Sequence, residues 1–159
     1  PSGVGKSTLC HILAGIYQPT QGEVRLYGTP MQQLSLATIG EYVHLVDQEA
    51  HIVHGTLADN LVVKASSIQT GPLAHLQGRL EQTTGEGGKN LSNGEKQRIL
   101  LARSLSYQPE VLILDEALSA LDEASAQALL QIVFKAVPTV ILVTHRASLA
   151  QGFQRTYQL

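Results

Sequence analysis

Pro1-Ser2-Gly3-Val4-Gly5-Lys6-Ser7-Thr8 opens the chain, and the apolar run after it is spaced as a helix: Leu9, Ile12, Leu13, Ile16. Gly3 and Gly5 let the backbone turn tightly and come close to an anion. Lys6 supplies a point charge for outer phosphates, and Ser7 supplies a hydroxyl for Mg²⁺. The loop therefore delivers an anion to the positive end of a helix. The full phosphate-loop pattern needs one more glycine, one residue upstream of Pro1. A glycine-rich turn capping an ordinary helix is the competing reading, and the rest of the chain decides against it.

Strands and helices alternate downstream. The first helix is expected to end near Gly15, with a turn over Gln18 to Gly22. Glu23 to Tyr27 alternates polar and apolar as a half-exposed strand does, and Gly28-Thr29-Pro30 closes it. Leu34 to Ile39 is a short helix or turn. Tyr42 to Val46 is a buried strand ending at Asp47-Gln48. Gly55 to Val63 is a loop entering a helix, with Thr56 as a cap. Ala65 to Leu80 holds short helices, and Thr83 to Asn90 is glycine-rich and flexible. Leu91 to Tyr107 is a strong helix, Val111 to Leu114 an apolar strand, Ala124 to Val137 a helix and Thr139 to Thr144 another buried strand. Gln154 to Leu159 begins a further strand. This order predicts an α/β fold: a P-loop NTPase with a mostly parallel sheet flanked by helices, polar residues gathering at the strands' C-terminal ends. All 159 residues form one domain, and about 59–107, which lacks strand signals, forms a shortened helical subdomain.

Bulk properties limit the alternatives. A chain of this length buries roughly 68–70% of its unfolded surface. Hydrophobic residues at 43% and charged residues at 15% fit a globular domain. A net charge of −2 gives no reason to expect a nucleic acid partner. One cysteine, Cys10, excludes an internal disulfide framework and reads as a small buried apolar residue. The six histidines show no metal-ligand spacing. No apolar run is long enough to span a bilayer. The start at Pro1, inside a functional loop, is read as that of a fragment of a longer polypeptide.

The candidate chemical groups end strands. Asp115 would hold Mg²⁺ and Glu116 would polarise an attacking water. His145 is placed to contact a γ-phosphate, and Gln48 to coordinate Mg²⁺ and the water. Each has a plainer reading as a solvated strand end. Ser92 with Glu95 is a capping-box pattern opening the helix to Tyr107, and the same helix end is an anion site. A glutamate beside a phosphate is repulsive unless it points away. Phosphate contacts are therefore assigned to Ser92 and Gly94, and a structural role to Glu95.

In this order the motifs resemble the nucleotide-binding domain of ATP-binding cassette (ABC) transporters. Pro1 to Thr8 is similar to the Walker A loop, which implies nucleotide contacts by Ser2, Gly3, Val4, Gly5, Lys6, Ser7 and Thr8. Gln48 resembles the Q-loop, Leu91 to Glu95 the family signature, and Val111 to Glu116 Walker B with its catalytic glutamate. Ser119-Ala120-Leu121-Asp122 resembles the D-loop, and His145 the switch histidine. Gly55 to Leu61 and Thr84 to Gly88 resemble the exporter subgroup. The resemblance implies ATP and Mg²⁺ as ligands, with Ser7, Gln48 and Asp115 on the metal. It implies a second nucleotide-binding domain facing this one, so that Ser92 and Gly94 act on the partner's ATP, and it adds Asp122 of the D-loop to the nucleotide-binding residues. It also implies a transmembrane domain on the parent polypeptide and a location at the cytoplasmic face of the membrane. Asn93 stands where the family usually has Gly, Glu95 where Gln is commoner, Leu118 where Thr is common, and Asp47 where Pro is common. The stretch from Gln48 to Leu91 is shorter than in a typical exporter. A non-transport ABC ATPase and a degenerate, regulatory ATP-binding cassette are the alternatives.

Overall fold

The computed structural model describes residues 5–47, 51–61 and 78–158. Its centre is a sheet of three parallel strands, β3 (Val43–Val46), β4 (Val111–Asp115) and β5 (Thr139–Val143), in the order β3-β4-β5. The register pairs Val43 with Val111 and Val111 with Thr139. Parallel strands covered on both faces need apolar side chains both up and down, which explains the near-continuous hydrophobic runs. The two-residue period divides them. Leu112 and Leu114 of β4 and Val140 and Leu142 of β5 pack into one core, with Ile99 and Leu101 of α3 (Asn93–Ser106) and Leu129, Leu130 and Val133 of α4 (Glu123–Ala136). Ile113, Ile141 and Val143 face the other way. They meet Cys10 of α1 (Lys6–Leu13) and Ile39 of α2 (Leu36–Tyr42), together with Met31.

Each helix start has a chemical cause. Gly5 adopts φ 88° before Lys6, a conformation that a side chain would strain. Ser35 Oγ accepts from Thr38 N, Ser92 Oγ from Glu95 N and Asp122 from Ser125 N, each satisfying a helix-end donor. Thr56 and Asp59 bond reciprocally: Asp59 Oδ2 accepts Thr56 N at 2.7 Å and Thr56 Oγ1 accepts Asp59 N at 3.1 Å. That pair precedes one 3₁₀ turn at Ala58–Asn60, which starts from Leu57 and has no side-chain cap, so Thr56 ties the loop rather than capping a helix.

Three local expectations are corrected. The strand read over Glu23–Tyr27 is only β1 (Arg25–Leu26), and Thr29-Pro30 does not merely close it but returns as β2, antiparallel to β1. Tyr27 and Gly28, with φ 49° and 80°, make the tight turn. The Thr83–Asn90 stretch is a hydrogen-bonded turn rather than a loose loop. Thr84 is fully buried and its hydroxyl donates to Val53 O at 3.0 Å. Residues 154–158 form no strand, because no neighbouring strand offers them a ladder, and Tyr157 is exposed. The Ala65–Leu80 helices lie largely outside the described residues, as does part of the 59–107 subdomain.

Candidate functional site

The strand C-termini and the start of α1 bring three distant residues together. Glu116 follows β4 with φ 52°, a left-handed conformation that turns its side chain off the strand. Its Oε1 lies 2.7 Å from His145 Nε2, just past β5, and 3.9 Å from Lys6 Nζ at the head of α1. Lys6 Nζ is 2.9 Å from His145 Nε2 and 3.3 Å from Nδ1. One ring nitrogen cannot donate to Glu116 and accept from Lys6 at once. The cluster thus pairs a fixed cation, a carboxylate and an imidazole whose proton decides which contact is a hydrogen bond. Glu116, Thr144 and His145 line a small cleft with Ser119 and Arg146.

Asp115, the last residue of β4, is 5% exposed. Burial pushes the Cys10 thiol up to about 12, and the negative charge of Asp115 adds to that rise. By strand alternation Asp115 lies on the same side of β4 as Ile113, the side packed against Cys10 of α1. Among the described residues no lysine or arginine pairs with its carboxylate. A buried carboxylate without a protein cation, close to the helix turn that carries an exposed serine hydroxyl, fits a small hard cation that takes one or two protein oxygens and keeps the rest for water and phosphate. No cluster of three or more His, Cys, Asp or Glu suited to a metal occurs among the described residues.

The head of α3 is the second candidate. Ser92 and Glu95 form the full capping box: Glu95 Oε2 accepts Ser92 N at 2.9 Å and Ser92 Oγ at 2.8 Å, and Ser92 Oγ accepts Glu95 N at 3.2 Å. Arg79 holds the other carboxylate oxygen at 2.6 Å. Burial works to raise the Glu95 pKa, but the Ser92 hydrogen bonds and Arg79 outweigh it and hold the carboxyl below the usual range. The structural role expected of Glu95 is the one observed. A Cβ on Gly94 would lie 3.1 Å from Leu121 Cδ2, a tight contact that the end of the Leu121 side chain would have to yield to, so the 119–122 loop packs closely on this glycine.

Comparison with known proteins matches these features to one group. A family model described as ABC transporter covers residues 1–119. The chain belongs to the ABC transporter family. It is 34% identical to a lactococcin transport/processing ATP-binding protein, LcnC-like, of Lactococcus lactis, over 97% of this chain and 24% of that protein. It is 35% identical to the ATP-dependent lipid A-core flippase of Mannheimia succiniciproducens, over 92% of this chain and 28% of the flippase. A solved structure of a bacterial Atm1-family ABC exporter with ATP bound superposes with a TM-score of 0.86 at 28% identity, covering 94% of this chain and 29% of the exporter. The fold is therefore that of an ABC ATP-binding domain with the P-loop NTPase architecture, and ATP binding and ATPase chemistry come with the family. The chain spans about a quarter of the length of these relatives. Among the described residues no helix is long and apolar enough to cross a membrane.

Gly5, Lys6, Ser7 and Thr8 of Walker A lie at the start of α1, and Lys6, Glu116 and His145 converge. Ser2, Gly3, Val4 and Gln48 lie outside the described residues. Ser92 and Gly94 sit at the other helix head, beside the D-loop. The Asp122 carboxylate caps α4 by accepting Ser125 N at 2.9 Å. Its pKa is lowered by its hydrogen bonds to the Ser125 side chain and backbone.

Sequence reasoning missed the residues that tie these pieces together. Gln97 of α3 donates to Ser119 Oγ and accepts Ala120 N, fixing the 119–122 loop to α3. Arg146, next to His145, donates to Leu118 O and Leu121 O and pairs with Glu123. Asn60 is 1% exposed. Its amide bonds Val53 N, Val53 O and Thr56 O, and Arg103 of α3 donates to its Oδ1 at 2.7 Å, to its carbonyl and to His51 O. A signal was present for Arg103: an arginine between Ala102 and buried Ser104 on a core-facing helix must find buried acceptors.

Proposed function

We propose that this domain binds Mg-ATP and hydrolyses it as the nucleotide-binding domain of an exporter-type ABC transporter, powering movement of a substrate across a membrane. The observation that carries this is the meeting of Lys6, Glu116 and His145 at the edge where Walker A enters α1. Gly5, Lys6, Ser7 and Thr8, with Ser2, Gly3 and Val4, would cradle the phosphates through backbone N–H groups and the α1 dipole. Lys6 would neutralise the outer phosphates. Glu116 would take the proton of the attacking water, and His145 would hold a γ-phosphate oxygen and orient that water, with Gln48 completing the arrangement. Ser7, Asp115 and Gln48 would be the oxygen donors for Mg²⁺, which would offset the charge on the phosphates.

Ser92 and Gly94 would engage ATP held by a second nucleotide-binding domain, with Asp122 at the same interface. Support comes from the exposed head of α3 and from the close packing of Gly94 on the D-loop. The similar lipid A-core flippase and Atm1-family exporter support a transmembrane domain as partner and a site of action at the cytoplasmic face of the membrane.

The deciding experiment is ATP turnover and ATP binding by the natural protein carrying Lys6→Ala or Glu116→Gln. Lys6→Ala is expected to abolish tight ATP binding. Glu116→Gln is expected to keep binding and arrest turnover, trapping an ATP-bound dimer. Turnover at the parent rate in Glu116→Gln would remove Glu116 from the mechanism.

A further inference from the structure

The head of α3 carries an electrostatic contradiction. Its free N–H groups and its partial positive charge favour an anion, yet Glu95 places a full negative charge in the same first turn. Arg79 answers that charge. Its Nη1 donates to Glu95 Oε1 at 2.6 Å, a charge-assisted contact. Arg79 is held in place by its own turn. Its Nε donates to Gln82 Oε1 at 2.7 Å and its carbonyl accepts Gln82 N at 2.9 Å. That turn is in turn pinned to the chain after the Q-loop, with Leu57 N donating to Gln82 O and Ala58 N to Leu80 O. Lys96, the neighbouring cation on α3, is engaged elsewhere, with its Nζ on Gly87 O at 3.1 Å.

The hydrogen-bond inventory shows what Arg79 adds. Ser92 has one hydroxyl proton, and here it goes to Glu95 Oε2. To donate to a phosphate oxygen, the hydroxyl must turn away from Glu95. The carboxylate then still holds Ser92 N on Oε2 and Arg79 on Oε1, so each of its oxygens keeps a donor. Without Arg79, Oε1 loses its partner, the negative charge stands uncompensated beside the incoming anion, and the hydroxyl is drawn more tightly to the carboxylate.

We propose that Arg79 is a positioning residue for the signature helix: by neutralising Glu95 it frees the Ser92 hydroxyl and the α3 N–H groups to engage the terminal phosphate of a nucleoside triphosphate bound to a second nucleotide-binding domain. The proposal rests on the function argued above. Arg79 acts through Glu95 and need not touch the nucleotide, so its effect depends on the charge of residue 95.

A double-mutant cycle on the natural protein tests this, reading kcat/KM for ATP and the Tm of Arg79→Gln, Glu95→Gln and the pair. Arg79→Gln is expected to lower kcat/KM about tenfold, whereas in the Glu95→Gln background the same change is expected to alter it less than about twofold. Arg79→Lys is expected to restore most of the loss. The Tm of Arg79→Gln should stay close to the parent's, since a half-exposed pair contributes little to stability. An equal loss in both backgrounds, or no loss in either, overturns the proposal. Parent protein that neither binds nor hydrolyses ATP would sink the functional reading and this inference with it. Parent protein that hydrolyses ATP, loses activity with Lys6→Ala and shows an additive cycle would sink this inference alone.

Discussion

Two glutamates in this domain are each held by a cation, and they are built in opposite ways. Glu95 sits three residues from Ser92 and takes most of its hydrogen bonds from that neighbour, with Arg79 completing the set. Glu116 meets Lys6 and His145, which lie at opposite ends of the sequence. The first arrangement is a helix cap that exists wherever α3 exists. The second exists only once β4 and β5 are paired and α1 is packed on them. A local carboxylate is spent on structure, whereas one assembled at long range by the sheet edge meets a lysine and a histidine whose contacts a ligand could replace.

The sharpest way to break that comparison is to neutralise both acids. Glu116→Gln is expected to lower ATP turnover about 10²–10⁴-fold, the scale of a lost general base, while Glu95→Gln changes it less than about tenfold. Steady-state phosphate release checks both, and equal losses would erase the distinction. Next in size is the buried clamp linking α3 to the segment after the Q-loop. Asn60→Ala leaves Val53 N without its partner and removes one Arg103 contact, while Val53 O keeps the Thr84 hydroxyl and Arg103 keeps the carbonyls of residue 60 and His51. It is expected to cost about 1–3 kcal/mol for each donor or acceptor left unpaired, read as a Tm several degrees lower.

Gly94→Ala separates packing from chemistry at the local site. Helix propensity favours alanine by about 1 kcal/mol, and crowding against the flexible end of Leu121 opposes it, so the Tm is expected to hold. Turnover should nonetheless fall about tenfold or more, because the D-loop and the helix head shift relative to the nucleotide. The smallest effect is in the acid limb. The Glu95 carboxyl is held below its usual range in the fold, so its contribution is present above the ordinary glutamate value and is lost as pH falls through the depressed one. Thermal melts at falling pH should show the parent losing stability faster than Glu95→Gln. Parallel curves would mean that the cap does not depend on the charge.

Much of this was legible in the sequence for physical reasons. The α3 cap could be read because its partners are three residues apart, and the strands because buried parallel strands need unbroken apolar runs. Cys10 was legible as a small apolar residue of the first helix, and it is buried. The short β1-β2 hairpin was misread because Thr29-Pro30 looks like a strand terminator until its partner is seen. Thr83–Asn90 was misread because glycine content records conformational freedom and says nothing about Thr84, buried against Val53 and Gly55.

The sequence by itself determined the order of β3, β4 and β5 with α1, α3 and α4, the cap at Ser92, and the residue types able to handle a phosphate. Those follow from spacings of one to four residues, where chain geometry leaves few choices. Only the tertiary structure decided that Glu116, His145 and Lys6 share one site, that Arg103 clamps Asn60, and that Arg79 answers Glu95. The last two are contacts between segments whose sequence separation carries no period. What brings them together is burial: a charge or amide removed from water must find its partner, and the fold alone sets which one is within reach.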